Sequence, residues 1–145
     1  MDIVSLMRVE LYSPDRMYGF AEFGQDRVFF HLEAFHAEGG PPPIIGEEVE
    51  VELGPDVETG ADKAPRALRV RRVVVPVRIE GVVESFNPEK GWGFVKGVDG
   101  VSYYLHRSEV EDGRLPLPNQ QATFFKGFKR DRPRACYVQV GRIDG

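Results

Sequence analysis

The chain has 145 residues, of which 41% are hydrophobic and 29% charged, the composition of folded globular material rather than of a disordered or collagen-like chain. Its formal charge of −4 at neutral pH excludes a generic polyanion binder that works by phosphate neutralisation alone. One cysteine, Cys136, and three scattered histidines leave neither an internal disulfide nor a metal-ligand cluster, so no cofactor and no metal are expected.

The opening "MDIVSLMRVELY" lacks the basic start and apolar stretch of a signal peptide, and no apolar run is long enough to span a bilayer. A cytoplasmic protein without membrane contacts is the expectation. Further along, "RMYGFAEF" (Arg16–Phe23) and "VFFHLEAF" (Val28–Phe35) read as strands flanked by the turn signals "SPDR" and "FGQD". After "GGPPP", the stretch "GEEVEVELG" alternates Val49, Val51 and Leu53 with Glu48, Glu50 and Glu52, the period of a half-buried strand. A turn at "GPDVETGADKAP" precedes "PRALRV" (Pro65–Val70), and "RRVVVPVR" then closes the first half.

Beyond Pro76 the pattern begins again. "KGWGFVKG" at Lys90 matches Arg16–Phe23 at an offset of 74, and "YYLHRSEV" at Tyr103 matches Val28–Phe35 at an offset of 75. "PRACYV" at Pro133 matches Pro65–Val70 at an offset of 68, so the same three segments recur in the same order with loops of different length. Two small domains follow, residues 1–75 and 76–145. Short strands punctuated by Gly/Pro turns, with no sustained helical stripe, predict all-β barrels or sandwiches. The halves differ in charge: 8 Lys+Arg against 14 Asp+Glu through Pro76, a balance of −6, then 11 against 9, a balance of +2.

Alternation along the strands sorts the aromatic residues. Trp92 and Phe94 share one face and Gly93 and Val95 the other; Tyr104 and His106 oppose Tyr103 and Leu105. Assigning Val95, Tyr103 and Leu105 to the core leaves Trp92, Phe94, Tyr104 and His106 outward across two paired strands. The same parity in the first half puts Tyr18, Phe20, Phe29 and His31 outward, with Ala21, Val28, Phe30 and Leu32 inward. Flat rings beside Lys90, Lys96 and Arg107 suit the stacking of unpaired bases. The same rings also suit a protein interface.

The stretch "GVVESFNPEKGWGFVKGVDGVSYYLHRSEV" (Gly81–Val110) resembles the cold shock domain family, whose pattern joins Lys-Gly-Phe-Gly-Phe to Val-Phe-Val-His. The resemblance spans nearly the whole chain in two divergent copies. It implies two tandem five-stranded antiparallel barrels of the oligonucleotide-binding type, and binding of single-stranded DNA or RNA. In the second copy Lys90, Trp92, Phe94, Tyr104 and His106 match the family's contacting positions. In the first copy these are Arg16, Tyr18, Phe20, Phe29 and His31, with Met17 in place of the first glycine.

The departures concern the start of the binding face. The family's Lys-Trp pair is replaced by Glu10-Leu11 and Glu84-Ser85, and the aromatic of the loop after the histidine strand by Gly40 and Leu115. The second copy is the expected binder, with Phe128 and Lys129 in "FKGFKRDRPR" offered, together with Phe125, as a backbone clamp. The acidic first copy is either a soluble spacer or the docking surface for a protein partner. Neither histidine has a nucleophile or carboxylate at a converging spacing, so no enzyme is expected. The alternative function is a protein-interaction module that has kept the barrel and lost most nucleic-acid affinity.

Overall fold

The computed structural model describes residues 3–53 and 66–141; the turn expected at 54–65 lies outside them. The chain divides into two compact units, Met1–Val75 and Pro76–Gly145. Both are all-β, and the helical turns among the described residues are single 3-10 turns at Leu32–Ala34 and Arg107–Glu109.

The first unit contains β1 (Ile3–Ser13), β2 (Tyr18–Phe23), β3 (Asp26–His31), β4 (Phe35–His36), β5 (Glu48–Leu53) and β6 (Ala67–Arg72). They form one sheet in the order β3-β2-β1-β5-β6-β4. A parallel bridge between Phe29 and Arg66 curls the sheet by joining the free side of β3 to the start of β6. The second unit contains β7 (Ile79–Asn87), β8 (Trp92–Gly97), β9 (Ser102–His106), β10 (Gln121–Lys129) and β11 (Arg132–Val140). These close into a barrel in the order β10-β11-β9-β8-β7, sealed by a parallel contact between Arg134 and Tyr104. Both units have the oligonucleotide-binding type of fold. They differ from two identical five-stranded barrels in that the first carries the extra two-residue β4 and is a curled sheet rather than a closed one.

The alternating pattern fills both interiors. Val9, Ala21, Val28, Phe30, Val49 and Val51 form the first core, with Leu32 and Leu53 packed against it. Val83, Val95, Tyr103, Leu105, Phe124 and Val138 form the second, and the Tyr103 and Phe124 rings lie 4.9 Å apart. Cys136 is a small buried residue of β11. Tyr103 donates its hydroxyl proton to Asp99 in the β8–β9 turn, which holds that carboxyl below its usual range; burial is the main cause raising the phenol's own pKa.

Both first strands bulge at the same place: β1 between Val9 and Leu11, and β7 between Val83 and Ser85. The bulged backbone presses onto the glycine between the first two rings of the next strand. A Cβ at Gly93 would stand 2.0 Å from the Ser85 carbonyl oxygen, and one at Gly19 would stand 2.4 Å from that of Leu11. Only glycine fits there.

Arg72 is buried in the first unit and fixes the loop that follows β4. Its Nε and Nη2 each reach a Glu47 oxygen at 2.7 Å. Nη1 donates to the carbonyls of Ala37 and Pro41 at 3.0 and 2.8 Å, and Nη2 to that of Pro42 at 3.0 Å. The guanidinium also lies 4.9 Å from the centre of the Phe35 ring. Removing one member of such a pair strands the other. Arg72→Ala is therefore expected to cost about 3–5 kcal/mol, read as a fall in the urea midpoint followed by circular dichroism.

Met17 has φ 59° where its counterpart Gly91 has φ 79°. The left-handed conformation costs a side chain roughly 1–2 kcal/mol, whereas glycine loses about 0.5–1 kcal/mol more entropy on folding. Met17→Gly is accordingly expected to raise stability by up to about 1 kcal/mol in the same assay.

Candidate nucleic-acid interface

In the second unit β8 and β9 pair so that Trp92 stands opposite His106 and Phe94 opposite Tyr104. Their outward side chains form a continuous patch. Trp92 and Tyr104 stack at 6.1 Å and 24°, Tyr104 and His106 at 6.4 Å and 25°, and Phe94 meets both Trp92 and Tyr104 edge-on. Trp92 is 38% and Phe94 37% exposed, whereas Val95, Tyr103 and Leu105 on the inward face are fully buried. These two strands therefore turn one set of rings outward and bury Val95, Tyr103 and Leu105 in the core.

The first unit repeats this register, with Tyr18 opposite His31 and Phe20 opposite Phe29. Its rings lie 5.3 to 6.1 Å apart, and all four residues are half-buried. Each histidine caps the 3-10 turn that follows it. His31 Nδ1 accepts from the Glu33 amide, and His106 Nδ1 from the Ser108 amide, each at 3.1 Å. With Nδ1 so engaged, a neutral ring carries its proton on Nε2, a donor available to a ligand.

Cations surround the second patch. Phe94, Ser102, Tyr104, Lys129, Arg132 and Arg134 line a groove of about 810 Å³, which also includes Arg130 and Pro133. The Arg134 guanidinium stands 5.4 Å from the centre of the Tyr104 ring. Below it lies Glu109, whose carboxyl is pushed up by burial and partly drawn back down by Arg134. Lys90, Lys96, Arg107, Lys129, Arg130 and Arg132 make no ion pair among the described residues. Lys90 and Arg107 are exposed near the Trp92 end of the patch, and Lys96 lies beyond Phe94.

The clamp offered by the β10–β11 hairpin needs correction at one ring. Phe128 is half-buried with Lys126 Nζ 5.5 Å from its centre, but Phe125 is buried, with the Arg78 guanidinium 4.6 Å from its centre. Phe124 and Phe125 are successive buried rings, but Phe124 belongs to the core, whereas Phe125 lies outside the core cluster and is covered by Arg78 and Tyr137. Alternation alone could not reveal it. Leu115, where the family's loop aromatic would stand, is exposed.

The first unit's patch has a different occupant. Arg27 lies 4.1 Å above the centre of Phe20, and its Nε is 3.0 Å from Glu10 Oε2. Arg16 is exposed, with Nη1 3.5 Å from the Tyr18 hydroxyl. Arg27 was not singled out from sequence, although the offset of 75 aligns it with Ser102 beside the second patch. Among the described residues no helix is long and apolar enough to cross a membrane, and no cluster of His, Cys, Asp or Glu could hold a metal ion.

Two all-β units with the oligonucleotide-binding type of fold, each showing an outward aromatic patch on its second and third strands, define the class of protein. Over 61 residues the chain is 38% identical to Cold shock protein 2 of Lactiplantibacillus plantarum, covering 41% of this chain and 92% of that protein. Cold shock protein 1 of the same organism is 38% identical over 60 residues, covering 40% of this chain and 91% of its own length. The chain belongs to the cold shock protein family. A solved structure titled "drosophila Unr CSD456" aligns with 99% of this chain at 18% identity and a TM-score of 0.44; the chain spans 63% of that one. No family model matches the chain.

Arg130 and Asp131, at the tip of the β10–β11 hairpin, have φ of 50° and 66° where such turns favour Asn-Gly. Replacing them by Asn-Gly is expected to raise stability by about 1 kcal/mol, measured by urea denaturation, because it removes this backbone strain.

Proposed function

We propose that the chain binds single-stranded DNA or RNA by stacking bases on its outward rings, with the second unit supplying the principal surface. Exposure of Trp92 and Phe94 beside the half-buried Tyr104, next to cations that make no ion pair among the described residues, carries this reading. Bases bring π-faces to the rings, and the phosphates between them meet Lys129, Arg130 and Arg132. Lys90, Lys96, His106, Arg107 and Phe128 extend the surface. Residues 1–75 and 76–145 are its two domains, and a cytoplasmic RNA chaperone or regulator of transcription or translation is the corresponding role. The mechanism is binding without catalysis.

The first unit has the weaker site in its own patch. Its balance of −6 disfavours phosphate, and Arg27 already lies over Phe20. Tyr18, Phe29, His31 and Arg16 are then auxiliary contacts. Those two observations also favour the second reading, a protein-interaction module with an acidic first domain that docks a basic partner.

Trp92 is the only tryptophan, so its fluorescence reports the second patch directly. Titration with a short oligothymidine at low salt is expected to quench it. Phe94→Ala and Tyr104→Ala should each weaken binding by about 1–3 kcal/mol, roughly 5- to 150-fold, with the fold retained. The salt slope should be shallow, no steeper than about −3 for up to four phosphates neutralised. A folded protein with no quench at low salt would support the interaction module instead.

A further inference from the structure

The two patches end differently. Two cross-strand pairs beyond the Phe94–Tyr104 rung, and so on the same face about 6.8 Å along the strands, Lys96 stands opposite Ser102. The bulge in β7 carries Glu84 outward, and its Oε1 accepts the Ser102 hydroxyl at 2.5 Å. Because β8 lies between β7 and β9, that side chain crosses the outer face of β8 between Phe94 and Lys96. Glu84 makes no ion pair among the described residues, and no protein donor meets its Oε2. In the first unit the equivalent Glu10 is paired with Arg27.

An ionised carboxylate only accepts hydrogen bonds. Placed at the end of a stacking surface it repels phosphate, so what it tolerates beside it is the donor edge of a base. Guanine offers two adjacent donors on its Watson–Crick edge, N1–H and the N2 amino group, matching the two oxygens of a carboxylate. Cytosine and adenine offer one amino donor next to an acceptor nitrogen. Thymine and uracil offer one N–H between two carbonyl oxygens, which a carboxylate repels.

We propose that Glu84, oriented by Ser102, is a specificity-determining residue that makes the second patch select guanine for the base stacked on Phe94. Lys96 then meets the phosphate adjoining that guanine. This rests on the nucleic-acid reading above and adds a base preference to it.

The test uses the full chain and four heptamers: oligothymidine, and the same strand with a single central dG, dA or dC. Binding is read from the midpoint of Trp92 quenching rather than its amplitude, because guanine itself quenches indole strongly. The dG strand is expected to bind about tenfold more tightly than oligothymidine, with dA and dC between them. Glu84→Gln should bring the dG strand to within about twofold of oligothymidine without weakening oligothymidine, since the amide keeps one acceptor and opposes a donor to guanine. Ser102→Ala, which removes the orienting hydroxyl, should reduce the preference at least threefold. A dG strand bound no more tightly than oligothymidine overturns the proposal alone, as does a preference unchanged in both variants. Absence of quenching by all four heptamers overturns it together with the nucleic-acid reading.

Discussion

The outward aromatic face depends on a backbone collision that only glycine avoids. In each unit the first strand bulges and presses its carbonyl oxygen onto the glycine between two outward rings, Gly19 or Gly93. That contact holds the second strand flat against the first, so the rings on either side of the glycine stay on one face. A side chain at either glycine would separate the strands and disturb the ladder register that the patch requires. The glycines between the rings thus hold the aromatic face together although they add no ring to it.

The same bulge has a chemical consequence. It carries an acid outward in both units, and the two units respond differently. Arg27 neutralises Glu10 and covers a ring, which leaves the first patch partly occupied by the protein itself. Ser102 offers Glu84 only a hydroxyl, which leaves a net negative charge among cations. A single change at one aligned position thus separates a covered patch from an open one.

Much of this was legible in the sequence because β-structure has a period of two. The outward placement of Trp92, Phe94, Tyr104 and His106 and the burial of Val95, Tyr103 and Leu105 follow from parity once the core side is chosen. Parity does not report cover from distant side chains: Phe125 is buried outside the core because Arg78 and Tyr137 pack on it, which leaves no local signature. Contacts between distant residues were equally hidden. Arg27 above Phe20 could have been suspected only by aligning the two halves, and Arg72 sits in a basic run, "RVRR", that reads as exposed. The set of five acceptor oxygens around Arg72 depends on the path of a loop that begins 35 residues earlier.

The burial of Arg72 also bears on which sequences this architecture tolerates. Five hydrogen bonds radiate from one planar group to a carboxylate and three peptide carbonyls. A lysine retains the charge but has three donors on a single tetrahedral nitrogen, and it cannot span acceptors spread around a plane. The exchange usually regarded as mildest for arginine would therefore leave part of the proline-rich loop without its anchor, and divergence at this site is confined by shape rather than by charge.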